Sequence, residues 1–145
     1  MNQTHEISET VLIAASPEQV WHTLTDQTAM LRWMGDKELD IRVEVVWEEG
    51  QAIKISGFHH ERFENTGTVL KVEEPYLLSY TQLSSVSNLP DIPESYNIFT
   101  FTLKPTSLGT ELNLTIRQFP TETIFFHLQL YWKPTLMVIK RVLEN

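Results

Sequence analysis

Three groups of side chains in this sequence are of types that do chemistry: the triplet His59-His60-Glu61, the tyrosine Tyr80, and the aromatics Trp33, Trp47, Phe99, Phe101, Phe125, Tyr131 and Trp132. Imidazole beside carboxylate is a metal-ligand pairing. Adjacent residues of a strand point to opposite faces, however, and His5, His22 and His127 belong to distant elements, so no three-ligand set forms. The sequence therefore predicts no metal and no cofactor, with His59-His60-Glu61 read as a solvated strand end. General acid–base catalysis needs an ionisable group inside a cavity. If Ile53, Ile55 and Gly57 face inward, His59 shares their parity. Tyr80 follows Leu78, and Gln118 continues the face of Leu112, Leu114 and Ile116. Such groups could hold or polarise a ligand carbonyl. No paired buried carboxylates accompany them, because most acids occupy turns or outward strand positions. The aromatics could line a pocket or fill a core, and the same faces serve both.

The elements that must position these groups are legible from periodicity. Residues 4–14 mix β-branched and polar positions and end at Ala15-Ser16-Pro17, a strand followed by a helix start. Ser16 reads as the N-cap, Pro17 as the first helical residue and Gln19 as the capping-box partner. Val20, Trp21 and Leu24 form the stripe of this short helix. Asp26 caps a second one, with Ala29, Met30 and Trp33 inward and Gly35 as its end. From Leu39 the period becomes two: Ile41, Val43, Val45 and Trp47 alternate with Arg42 and Glu44, and Glu48-Glu49-Gly50 turns into a strand over Ala52–Gly57. Further strands run over Thr66–Glu73 and Leu77–Leu83, separated by a turn at Glu74-Pro75. The polar stretch from Ser84 to Glu94 is a loop. Tyr96–Lys104 and Thr110–Phe119 make a hairpin in which Phe99, Phe101 and Leu103 share one face with Leu112, Leu114 and Ile116. Thr121–Leu143 places Phe125, Leu128, Trp132, Leu136, Ile139 and Leu143 at helical spacing, and Pro134 should kink that helix. Phe126, Leu130 and Met137 lie off this stripe and suggest burial by loops or by a second copy of the chain.

The predicted fold class is α+β: one strand, two short helices and six strands forming a curved antiparallel sheet wrapped around a long C-terminal helix. A helix cannot fill the concavity of a strongly bent sheet, and such gaps take small apolar ligands. The predicted cavity set is Trp33, Ile55, His59, Tyr80, Phe99, Phe101, Ile116, Gln118, Phe125 and Trp132. Length and charge narrow the rest. A chain of 145 residues, 41% hydrophobic, suits one domain over 1–145. It has no cysteine, which excludes disulfides, thiolate metal sites and cysteine nucleophiles. A net charge of -8, from 11 Lys and Arg against 19 Asp and Glu, opposes nucleic acid and anionic membranes as partners. The first thirty residues carry Glu6, Glu9, Glu18 and Asp26 and no Lys or Arg, unlike a signal peptide, so a cytoplasmic location is expected. The sequons Asn2-Gln3-Thr4 and Asn113-Leu114-Thr115 would matter only in a secreted chain.

The order of elements and several phrases resemble the helix-grip superfamily, which includes START lipid-transfer domains, the birch-pollen allergen and polyketide cyclases. The phrases are Ala15-Ser16-Pro17-Glu18-Gln19-Val20-Trp21-His22-Thr23-Leu24-Thr25-Asp26, Leu31-Arg32-Trp33-Met34-Gly35, the run from Gly67 to Tyr80, and Phe101-Thr102-Leu103-Lys104-Pro105 leading to Gly109-Thr110-Glu111-Leu112-Asn113-Leu114-Thr115. Within that superfamily the chain looks most like the family named after the C-terminal domain of the activator of heat-shock protein 90 ATPase. The resemblance implies binding of a hydrophobic or amphipathic small molecule between sheet and helix. It leaves two other readings open: a cyclase or hydrolase-like enzyme using Tyr80 or His59, and a chaperone-interaction module. Two departures bear on them. Where relatives carry a Pro-Gly-Gly turn this chain reads Trp47-Glu48-Glu49-Gly50, and the eukaryotic activators have an N-terminal domain for which 145 residues leave no room.

Overall fold

The computed structural model describes residues 5–35 and 37–145. Thr4, the expected first residue of the opening strand, and the sequon Asn2-Gln3-Thr4 lie outside the described residues. Strand β1 (Glu6–Ile13) leads into helices α1 (Pro17–Thr25) and α2 (Gln27–Met30). Strands β2 (Arg42–Val45), β3 (Ala52–His59), β4 (Glu61–Glu73), β5 (Leu77–Ser84), β6 (Asn97–Thr106) and β7 (Gly109–Arg117) follow, and helix α3 (Glu122–Glu144) ends the chain. The strands form one sheet in the order β1-β7-β6-β5-β4-β3-β2, antiparallel at every pairing.

The capping chemistry works as the sequence dictates. Ser16 Oγ accepts from Gln19 N at 3.2 Å while Gln19 Oε1 accepts from Ser16 N at 2.9 Å, a reciprocal capping box. Asp26 Oδ2 accepts from Ala29 N at 2.9 Å and starts α2. Two indoles then serve carbonyls at the end of α1 that lack helical partners: Trp33 Nε1 donates to Thr23 O at 2.9 Å and Trp47 Nε1 to Thr25 O at 2.7 Å. These bonds fix both rings against the inner face of the sheet.

That face holds the core. Phe99, Phe101, Leu103, Leu112, Leu114 and Ile116 are all buried, as the alternation along β6 and β7 requires, while Thr100, Thr102, Asn113 and Thr115 point outward. Helix α3 buries Leu128, Trp132, Thr135, Leu136 and Ile139. Its C-terminal end is tied to β1: Lys140 Nζ donates to Leu12 O at 2.6 Å, and Glu144 Oε2 accepts from Ala14 N at 2.9 Å and from Lys140 Nζ at 2.7 Å. The Lys140 ammonium, then the Ala14 N–H, hold the Glu144 carboxyl below its usual range.

Several elements differ from expectation. Strand β3 runs on to His59 and β4 begins at Glu61, beyond the expected bounds of Gly57 and Thr66, because Phe63 and Asn65 continue the inward parity of β4 and His60, at φ +65°, makes the tight reversal. β2 is shorter than the Leu39–Trp47 alternation suggests, since Lys37–Leu39 form a 3-10 turn. The Ser84–Glu94 loop contains 3-10 turns at Ser85–Ser87 and from Pro93 to Ser95. Helix α3 passes through Pro134 as one element. Pro134 and Leu130 are both exposed, so the carbonyl that loses its N–H partner faces water, and Thr135 Oγ1 donates to Tyr131 O at 2.6 Å beside it.

Curvature comes from β4 and β5. Their register shifts by one residue between Val69 and Lys71, a bulge that sharpens the local bend and twist. At Gly67 the strands approach so closely that a Cβ would lie 1.8 Å from the Thr81 carbonyl oxygen. Because that neighbour is backbone, Gly67→Ala should lower the unfolding free energy by about 2 kcal/mol in urea denaturation, the scale of overpacking. Wild-type stability would show that the strands can part there freely.

Candidate functional site

Between the inner face of β3–β6 and the N-terminal half of α3 lies a cavity of about 560 Å³. Its deepest apolar walls are Trp33, Ile55, Tyr80, Leu128 and Trp132, all buried. Ile41, Phe63 and Ile124 extend these walls toward the opening. The opening is framed by exposed His59 and Glu61 at the β3–β4 hairpin, Val86 in the turn after β5, and Thr123 and His127 on α3. This rim is braced, since Ser85 Oγ accepts from Glu64 N at 2.9 Å and Ser87 Oγ donates to Ser84 O at 2.7 Å.

Of the predicted cavity residues, Trp33, Ile55, His59, Tyr80 and Trp132 line this space. The other five require correction. Phe99 and Phe101 sit beneath the lining: the Phe99 ring stacks on Tyr80 at 5.3 Å, and both rings meet the indole of Trp132, at 5.8 and 5.9 Å. Ile116 is sealed within the β1–β7–β6 part of the sheet, opposite Ile7 and Phe99. Gln118 leaves the inward face because its φ of +66° ends β7, and its amide donates instead to Pro93 O and Tyr96 O, both at 2.7 Å. Phe125 packs on Phe119 at 5.0 Å and on His5 at 5.2 Å, outside the cavity.

Sequence reasoning passed over a polar wall. Asn65 on β4, Gln82 on β5 and Asn97 on β6 line the cavity together with Ser95. Gln82 and Asn97 share the parity of Tyr80 and of Phe99 respectively, so both could have been found from the strand alternation. Asn65 lies one residue before the expected strand start at Thr66 and so fell outside that alternation. His59 and His60 have ring centroids 4.5 Å apart, and among the described residues no group of three His, Asp or Glu side chains is placed to hold a metal ion.

Burial, then the neighbouring Tyr131, pushes the Tyr80 hydroxyl well above the ordinary tyrosine range. The group stays protonated and can only donate or accept a hydrogen bond near neutral pH. Its ring is fixed by Phe99 on one side and by Trp47, at 5.9 Å, on another. No side chain or backbone group among the described residues bonds to its hydroxyl, which remains open to the cavity.

Residues 14–144 match the family described as "Activator of Hsp90 ATPase homolog 1-like protein". The chain belongs to that family. A solution structure from Cytophaga hutchinsonii is similar over 100% of this chain and 97% of its own, at 29% identity and a TM-score of 0.82. A crystal structure from Chromobacterium violaceum aligns over 97% and 98% at 22% identity and TM-score 0.82. The solution structure of the Aha1 dimer from Colwellia psychrerythraea aligns over 96% and 97% at 20% identity and TM-score 0.76. Among curated proteins none matches. These likenesses agree with the helix-grip arrangement of one bent sheet and one long helix. No helix among the described residues is long and apolar enough to cross a membrane.

The Tyr80 environment in this family member has a measurable consequence. A raised folded-state value means that the unfolded chain releases the phenolic proton first, so stability falls as pH rises past about 10, the ordinary tyrosine value. Tyr80→Phe should flatten that fall in urea denaturation at alkaline pH and remove a late-titrating phenol from the absorbance titration. An unchanged alkaline slope would place Tyr80 in contact with bulk water.

Proposed function

We propose that this family member binds an apolar or amphipathic small molecule in the cavity between the sheet and α3, as a binding domain rather than an enzyme. The observation that carries the reading is the cavity itself: about 560 Å³ with walls of Trp33, Ile55, Leu128 and Trp132, within the size range of small-molecule sites. The family's descriptive name refers to a chaperone ATPase activator, but the cavity supports a ligand more directly than a chaperone surface. Tyr80 favours binding over catalysis, because a phenol held protonated cannot serve as a base near neutral pH. His59 lines the same space from the exposed rim, where water competes for its bonds.

Titration with the neutral fluorophore N-phenyl-1-naphthylamine, followed by quenching of tryptophan emission, tests this reading. Saturable one-site binding is expected, and Ile55→Trp, which narrows the cavity at its apolar wall, should weaken it by at least about tenfold, or 1.4 kcal/mol. Absence of binding, or binding that Ile55→Trp leaves unchanged, would contradict the proposal. Native mass spectrometry of the purified protein should also show a retained small molecule.

A second copy of the chain is proposed to cover the outer stripe of α3. Phe126, Leu130 and Met137 lie on one helix face and are 55%, 78% and 46% exposed. The dimeric state of the Colwellia psychrerythraea relative supports this occupant. Light scattering after size exclusion should give twice the chain mass, and Leu130→Glu should halve it. A monomer at every concentration would exclude the dimer.

A further inference from the structure

Resting on the cavity reading above, we infer that the ligand is electrically neutral and that its polar end both donates and accepts hydrogen bonds, seated on a carboxamide row formed by Asn65, Gln82 and Asn97. The row spans three adjacent strands. Gln82 stands directly opposite Asn97 in the β5–β6 register, so both side chains leave the sheet on the same face. Asn65 pairs with Ser84, two residues along β5 from Gln82. All three line the cavity, as do Tyr80 and Ser95.

What marks this wall as a recognition surface is bonding capacity turned toward the cavity: Asn97, Ser95 and Tyr80 are buried, Asn65 and Gln82 half-buried, and their side chains keep acceptors or donors that the fold does not use. Asn97 is 6% exposed and its Nδ2 donates to Gln118 O at 2.8 Å, which fixes the amide plane and leaves Oδ1 for the cavity. Ser95 and Tyr80 are 5% and 4% exposed, and neither side-chain oxygen bonds to a described residue. Polar groups this deep in a fold are normally satisfied by partners. Here each opens instead onto the cavity, where a ligand can complete the set.

The chemistry of the set selects the ligand. Amide and hydroxyl groups donate and accept equally well and carry no charge. The ionisable side chains of the lining, Glu61, His59 and His127, are exposed at the rim, with the Tyr131 phenol on α3 and the protonated Tyr80 at the floor. A carboxylate or phosphate drawn to the carboxamide row would leave water without a lysine or arginine to compensate, because neither lines the cavity among the described residues. A hydroxyl, carbonyl or amide would lose far less solvation and find both donors and acceptors. Its apolar body would lie toward Trp33, Ile55 and Trp132.

Displacement of N-phenyl-1-naphthylamine by octanamide, 1-octanol and octanoate at about pH 8, where octanoate is ionised, isolates the head group on one common tail. Octanamide is expected to bind at least about tenfold more tightly than octanoate. Gln82→Leu and Asn97→Leu should each remove most of that preference, read as the octanamide-to-octanoate ratio within each variant after correction for that variant's own fluorophore affinity. Gln82 makes no bond that holds the fold, so its variant remains informative if Asn97→Leu destabilises the protein. Octanoate binding as tightly as octanamide, or a preference that survives Gln82→Leu, overturns the inference and leaves the cavity reading intact. Failure of the fluorophore itself to bind overturns both.

Discussion

A straight helix laid over a bent sheet touches it along only part of its length, and in this fold the touching point is Trp132. Its indole meets Phe99 and Phe101 edge-on and lies 6.0 Å from Trp33, so one side chain joins α3, β6 and the segment after α2. Aromatic contacts of this kind contribute roughly 0.5–1.5 kcal/mol each beyond burial. Toward the C-terminus the helix closes on the sheet through Leu136 and Ile139, and Lys140 and Glu144 bind it to the end of β1. Toward the N-terminus the sheet curves away, drawn by the Val69–Lys71 bulge and the close approach at Gly67. The cavity is the wedge left between a helix anchored at one end and a sheet that bends at the other.

Charge is distributed to match. The net charge of -8 lies mainly on exposed turns and outward strand positions, where Lys54 meets Glu44 at 3.8 Å and Glu64 at 3.3 Å across β2, β3 and β4. Such exposed pairs contribute little to stability. The wedge is neutral within, apolar toward Trp33 and Trp132 and polar toward Asn97. An acidic exterior and an uncharged interior therefore impose separate constraints, one on partners and one on the ligand.

Much of the fold was legible because its determinants are local. The Ser16 and Asp26 caps, the alternation of Phe99, Phe101 and Leu103, and the Leu128–Trp132–Leu136–Ile139 stripe each follow from periods and caps that need no tertiary information. The site was less legible. Parity along a strand distinguishes inside from outside, but not a filled interior from an open one. Phe99, Phe101 and Ile116 face inward as expected and yet lie under other side chains rather than beside empty space. Gln118 failed for a different reason: a positive φ breaks the alternation, and glutamine gives little warning of it. Asn65 was hidden because the polar residues around it place the expected strand start at Thr66, although β4 begins at Glu61 and Phe63 and Asn65 complete the cavity wall. Burial by neighbours and backbone reversals are tertiary facts, and these are where the strand pattern stopped informing.

The proposal that bears most weight is that the space between α3 and the sheet receives a neutral ligand. Titration of isotopically labelled protein with octanamide, observed in the ¹H–¹⁵N spectrum, addresses it most directly. Saturable shifts of the Trp33 and Trp132 indole signals, together with those of the Asn65, Gln82 and Asn97 side-chain amides, are expected. Shifts confined to residues on the exposed face of α3, such as Phe126 and Leu130, with the cavity indoles unmoved, would contradict it.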